Sequence, residues 1–178
     1  LHVSSPGGNV SGIPELAAAV ASAGEKKPTL AFIDDIGASA AYWVASQAQK
    51  VYASRYAVTG SIGVRMSVLD MSGMYEKAGV KAIPIDTGKF KSAGLAGTEF
   101  TDEMKAMYQA IVDEHFKGFK SAVMKGRGMD AEAFASVGDG RVLAASAARS
   151  AGLIDGISTL ADVIKEAGAV TGKSTQAA

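Results

Sequence analysis

The sequence predicts an α/β fold built on a largely parallel sheet. Two observations carry this. Short β-rich runs alternate with helical stretches along the first half of the chain, the order that βαβ units produce. A long 3-4 spaced apolar stripe follows, and it reads as a helix lying along one face of a core. The composition agrees: of 178 residues, 48% are hydrophobic and 20% charged, which suits a globular chain with a sizeable core.

Each element has a local reason. Leu1-His2-Val3 reads as a strand end, and Ser4-Ser5-Pro6-Gly7-Gly8 as a turn. Ile13-Pro14-Glu15 opens a helix, with proline and an acid in its first turn, and Gly24 is expected to stop it. Thr29 to Ile33 is a buried strand running into Asp34-Asp35-Ile36-Gly37, and Ala40 to Ala48 is an Ala-rich helix. Lys50 to Ala53 is a short strand, and Tyr56 to Val64 is β-rich but broken by two glycines. Met71 to Ala78 reads as a helix closed by Gly79, and Val80 to Ile85 as a further strand. Thr87 to Phe100 is a Gly-rich loop. Met104, Met107, Tyr108, Ile111, Val112, His115, Phe116, Phe119 and Val123 then form the stripe of the long helix, which ends near Lys125 to Gly128. Asp130 to Val137 is a helix, Arg141 to Leu143 a strand, Ser146 to Ala151 a helix and Leu153 to Ile157 turn-rich. Thr159 to Ala167 is a last helix. Residues 1–170 are expected to form one domain and 171–178 a disordered tail.

Composition also excludes. Formal net charge is zero, which argues against a nucleic-acid footprint. There is no cysteine, so thiol catalysis, disulfides and Cys-based zinc sites are out. No apolar run is long enough for a membrane span. The chain opens on Leu1-His2-Val3 without methionine, and the expectation is a segment of a longer protein whose membrane anchor, if any, lies in the missing part.

One stretch concentrates the chemistry. Ser39 sits among very small residues where a strand runs into a helix. Such a turn aims a hydroxyl away from the sheet and places helix N–H groups beside it, which favours developing negative charge. Ser39 equally suits a plain N-cap. A serine nucleophile needs a base, and the sequence has two histidines. His115 lies on the stripe and His2 in a strand end, positions that suit structural roles. Lysine is the alternative base. Lys89 and Lys91 follow the strand predicted at Val80 to Ile85, at the end of a sheet where ligands bind. Either serves as a base only where burial disfavours its charge, and either reads equally as a solvated loop lysine. Ser5-Pro6-Gly7-Gly8 offers free N–H groups for an oxyanion hole, or is an ordinary turn. Ser61 sits between Gly60 and Gly63 in a segment that could pass close to other backbone; it either hydrogen-bonds a neighbour or simply sits in that strand, and spacing alone does not decide.

Together these segments resemble the serine peptidase family of signal peptide peptidase A and the phage capsid-maturation proteases. The resemblance runs from Leu1 to about Ala167. Ser5-Pro6-Gly7-Gly8 looks like the family's oxyanion loop, and Ala38-Ser39-Ala40-Ala41-Tyr42-Trp43 like its nucleophile segment. Thr59-Gly60-Ser61-Ile62-Gly63-Val64 and Gly88-Lys89-Phe90-Lys91 match two further motifs. Lys125-Gly126-Arg127-Gly128-Met129, and Gly140-Arg141-Val142 through Gly152-Leu153-Ile154-Asp155, match the C-terminal pattern. Two positions depart from the family's commoner forms and look more like the phage-type members: Ala40-Ala41 in place of the more frequent Gly-Gly, and Ser92 in place of the aspartate that often follows the lysine in signal peptide peptidases.

The resemblance implies a crotonase/Clp protease-like fold, with repeated ββα units and a mainly parallel sheet flanked by helices. It implies Ser39 as nucleophile, Lys91 rather than Lys89 as general base, Ser61 as the hydroxyl holding the lysine amine, and the N–H groups of Gly8 and Ala40 as the oxyanion hole. No metal or other cofactor is expected. The partners would be a peptide or protein substrate and further copies of the chain in a homo-oligomer. Substrates would be signal peptides or other membrane-associated peptides, or capsid scaffold protein. The setting would be a bacterial membrane, or a phage prohead or infected cytoplasm. Two other readings stay open at this point: a crotonase-like acyl-CoA enzyme, and a catalytically silent assembly protein.

Overall fold

The computed structural model describes residues 1–171. Within them the strands are β1 (His2–Ser5), β2 (Leu30–Ala38), β3 (Lys50–Ala53), β4 (Val58–Gly60), β5 (Val142–Ala144) and β6 (Gly156–Ile157). The helices are α1 (Ile13–Lys26), α2 (Ala40–Ala45), α3 (Ser72–Lys77), α4 (Asp102–Arg127), α5 (Ala131–Ala135), α6 (Ala145–Ser150) and α7 (Leu160–Thr171). No helix among the described residues is long and apolar enough to cross a membrane.

All strands join one sheet organised on β2. On one edge β2 pairs in parallel with β1, His2 opposite Phe32 and Ser5 opposite Gly37. On the other edge its first half pairs with β3, from Leu30 opposite Lys50 to Ile33 opposite Ala53. Its second half pairs with β4, from Ile36 opposite Val58 to Ala38 opposite Gly60. β6 continues in parallel beyond β3, and β5 closes β4 antiparallel. This is the mixed α/β, mostly parallel sheet that the alternating pattern predicts. β2 is longer than the predicted strand because Asp34 and Asp35 stay in it, exposed, where β3 gives way to β4. The Ser4 hydroxyl and the Ile36 N–H donate to Asp35 and hold its carboxyl below the usual carboxylate range. Ala31, Phe32 and Ile33 are buried on both faces, as a parallel interior strand requires.

The chain divides into two compact units, one of Leu1–Val64 with the residues from His115 onward, the other of Arg65–Glu114. The first holds the whole sheet and the core: Ile33, Tyr42, Trp43, Val51, Phe119, Val123, Phe134 and Leu153. The Trp43 ring of α2 stacks on Phe119 of α4, centroids 4.7 Å apart and nearly coplanar. Gly118 and Gly126 leave room for this packing: a side chain at Gly126 would run into the Ser46 carbonyl. The Tyr42 hydroxyl donates to the Leu153 carbonyl, and burial pushes its pKa far up. α2 stops at Ala45, short of the predicted Ala48, because Ser46 and Gln47 turn their side chains back onto the Trp43 carbonyl. α1 runs past Gly24 to Lys26; Lys27 is extended, as a residue before proline prefers, and Pro28 ends the helix.

The second unit holds α3, the Gly-rich loop and the start of α4. Here the structure corrects the sequence reading: Val80–Ile85 forms no strand. A strand needs a partner ladder, Pro84 has no N–H to give one, and Ile83 and Ile85 are 73% and 96% exposed. The loop is tied to α4 by the Tyr108 hydroxyl, which donates to the Ala93 carbonyl at 2.9 Å, and by Phe100 lying over the Tyr108 ring. Thr171 closes α7, so the predicted tail otherwise lies outside the described residues.

Candidate active site

β1, β2 and β4 end side by side, and the candidate groups of the first unit sit at those C-terminal ends, where parallel sheets place ligands. Ser39 links β2 to α2 with φ 52° and ψ −125°. Few non-glycine residues take a positive φ, and holding one there costs about 1–3 kcal/mol. The structure separates the two readings of this serine. It occupies the N-cap position, yet its side chain makes no capping hydrogen bond. A capping serine has β-region backbone and gives its oxygen to an N–H of the first turn. Within its unit the half-buried Ser39 hydroxyl has no hydrogen-bond partner among the described residues. The geometry is that of a strained strand-to-helix turn presenting a hydroxyl.

What holds Ser39 there is backbone. Its N–H donates to the Gly60 carbonyl at 2.8 Å, and its carbonyl accepts from Trp43 N–H at 2.9 Å. The buried Thr59 hydroxyl donates to the Gly37 carbonyl at 2.6 Å and fastens β4 to β2 two residues ahead of Ser39. On the other side lies the Ser5–Gly8 loop. A Cβ on Gly7, which has φ 101°, would stand 2.8 Å from both the Ala38 carbonyl oxygen and the Ser39 Cβ, and 3.0 Å from the Ala40 nitrogen. Only glycine lets the loop come so close. The loop therefore lies directly against the first N–H of α2. Ala40 begins α2, so its N–H has no acceptor in the helix. The Gly8 N–H likewise donates to no described residue of its unit, and Gly8 is exposed with open space around its Cα.

Ser61 follows Gly60 beyond β4. It has φ 49°, is half-buried, and its N–H donates to the Arg141 carbonyl at 2.7 Å. The structure thus brings Ser39, Ser61, Gly7, Gly8 and Ala40 to one end of the sheet. Sequence reasoning missed the Gly60 carbonyl, the Thr59 hydroxyl and the Gly7 wedge. The two glycines of Ser5-Pro6-Gly7-Gly8 were the available signal for the last.

The lysines lie in the other unit. Lys91 is exposed in the loop, its N–H bonded to the Gly88 carbonyl at 3.0 Å. Lys89 is also exposed; its amine pairs with Glu103 at 2.5 Å and lies over the Phe90 ring. Of the two histidines, His2 pairs with Asp34 at 3.0 Å on the surface, and His115 is exposed on α4. No cluster of metal-ligating side chains occurs among the described residues.

The sequence signature of Peptidase family S49 matches residues 21–172. Over 166 residues the chain is 31% identical to a putative protease of Methanocaldococcus jannaschii, an alignment that covers 93% of this chain and 53% of that protein. It is also 31% identical to the putative signal peptide peptidase SppA of Enterococcus faecium, covering 92% of this chain and 48% of that one. The capsid assembly protease C of Escherichia phage lambda is 29% identical, over 92% of this chain and 37% of its own length. The chain thus spans about half the length of the first two relatives. With most of its length inside the family signature, this chain belongs to peptidase family S49.

Proposed function

We propose that the chain is a serine endopeptidase working through a Ser39–Lys91 dyad on a crotonase/Clp-like fold. One observation carries the reading: a serine held at positive φ, its hydroxyl free of the capping bond, beside the unclaimed N–H of Ala40 and the Gly7 turn that leads into Gly8. The Ser39 oxygen attacks the peptide carbonyl. The neutral Lys91 amine takes the serine proton and passes it to the leaving amine. The Gly8 and Ala40 N–H groups stabilise the tetrahedral oxyanion, and water then releases the acyl group. Ser61 accepts a hydrogen bond from the lysine amine without adding charge. Lys91 is exposed in the single chain, so on this reading substrate and assembly into a homo-oligomer supply the desolvation the base requires. Peptide segments of the kinds denoted by the names of the Enterococcus and phage relatives are the substrate classes.

The test is turnover of a fluorogenic peptide library together with labelling by a fluorophosphonate. Ser39→Ala and Lys91→Ala should each lose several orders of magnitude in kcat while remaining folded. Lys89→Ala should keep substantial activity, because that amine is spent on a surface pair with Glu103. Turnover by pure Ser39→Ala protein overturns the mechanism; a dead Lys89→Ala with an active Lys91→Ala moves the base by two residues.

A further inference from the structure

The peptide group between Gly60 and Ser61 is held from both sides. Its carbonyl accepts from Ser39 N–H at 2.8 Å, and its N–H donates to the Arg141 carbonyl at 2.7 Å. Both residues flanking it have positive φ, 94° at Gly60 and 49° at Ser61. Serine leaves that region unless something holds it there. Releasing the N–H would let the peptide turn over, and its carbonyl would swing away from Ser39. The orientation of both serines therefore depends on where the Arg141 carbonyl lies.

Arg141 stands at the end of a tight turn just before β5. The Asp139 carboxylate accepts from the Arg141 N–H at 3.1 Å and from its guanidinium through Nε and Nη2. The turn approaches β4 by backbone alone. A Cβ on Gly60 would come within 3.0 Å of the Arg141 oxygen, and one on Gly63 within 3.4 Å of the Gly140 Cα. We propose that Asp139 and Arg141 are positioning residues: by fixing the turn before β5 they orient the Gly60–Ser61 peptide, and through it Ser39 and Ser61. The relay is continuous, from carboxylate to Arg141, from the Arg141 carbonyl to Ser61 N–H, and from the Gly60 carbonyl to Ser39 N–H. As a contribution to catalysis it rests on the peptidase reading above.

The test compares Asp139→Ala, Asp139→Asn and Asp130→Ala. Asp130 caps α5 through Ala133 N–H at 2.8 Å and takes no part in the relay, so it controls for simple loss of stability. Expected for Asp139→Ala are a fall in kcat and in fluorophosphonate labelling of roughly tenfold, since small misplacements of reacting groups are costly, with KM little changed. Amide hydrogen exchange at Ser39 and Ser61 should quicken. Asp139→Asn, which keeps an acceptor for the Arg141 N–H, should recover most of both. Asp130→Ala should lower the melting temperature and leave kcat alone. A folded Asp139→Ala with wild-type kcat and unchanged exchange at the two serines overturns the proposal, as does a loss no larger than that of Asp130→Ala. If wild type itself neither turns over peptide nor is labelled, the peptidase reading fails and amide exchange alone decides the relay.

Discussion

At Ser39 the chain places a serine where glycine would sit without strain, at φ 52° and ψ −125°. Ser39→Gly should therefore raise stability by about 1 kcal/mol, even as it removes the proposed nucleophile. Ser39→Ala should bring no such gain, since alanine meets the same steric limit. Urea denaturation of the two variants checks this, and a Ser39→Gly protein less stable than Ser39→Ala would show that the position is unstrained. Ser39 was legible as a candidate from its strand-to-helix junction, with an N-cap as the equal alternative, whereas Gly8, Ala40 and Ser61 gained roles only through the family motifs. Their supports were not legible. The bonds from Ser39 N–H to Gly60 and from Thr59 to Gly37 join segments far apart in sequence, and no local spacing encodes them. Lys91 was legible as a base only through its motif, and its exposure comes from a loop whose neighbours the sequence could not supply.

Elements were legible where their cause is local. α4 begins and ends where its acids, stripe and glycines put it. Val80–Ile85 has strand composition, but strandedness is a property of a pair, and none of the described residues forms a ladder with it. One tertiary tie between elements carries its own prediction. The Arg127 side chain, only 7% exposed at the end of α4, pairs with Asp155 at 3.0 Å and donates to the Gly152 carbonyl. Asp155 also accepts from Val51 N–H at 2.7 Å, joining β3 to the turn before β6. Burial alone would raise the Asp155 pKa, but the Arg127 and Val51 donors outweigh it and hold the carboxyl below its usual range. A lowered pKa means stability that is complete above the unfolded carboxylate value of about 3.9 and lost as pH falls through the folded value. Wild type should lose this contribution only in acid, below about pH 4. Asp155→Ala should lower stability at neutral pH by about 1–3 kcal/mol, discounted for its partial exposure, and show a flatter acid limb. Denaturation midpoints from pH 3 to pH 7 read both effects; parallel curves would remove Asp155 from the acid transition.

For the whole molecule the exposed apolar surface is concentrated between Met66 and Ile111, with Leu69, Ile83 and Ile85 at 77%, 73% and 96% exposure. Phe119 and Val123 already lie in the core, so the predicted oligomer would have only the first part of the α4 stripe to cover. Light scattering should show a symmetric oligomer at micromolar concentration, and Ile85→Asp should shift it to smaller species. A monomer throughout that range would count against assembly through this surface. The sheet itself has a consequence in time. Every pairing of β2 is parallel and needs a crossover, and the antiparallel one joins β4 to β5 from the far end of the chain. No hairpin can form early, so the topology is of the slow, non-local kind. During synthesis Ser39 leaves the ribosome long before Arg141, the residue whose carbonyl takes the Ser61 N–H. On the proposed relay the nascent chain carries its serine unaligned until β5 arrives, so pairing of β4 with β5 and alignment of the hydroxyl become a single late event.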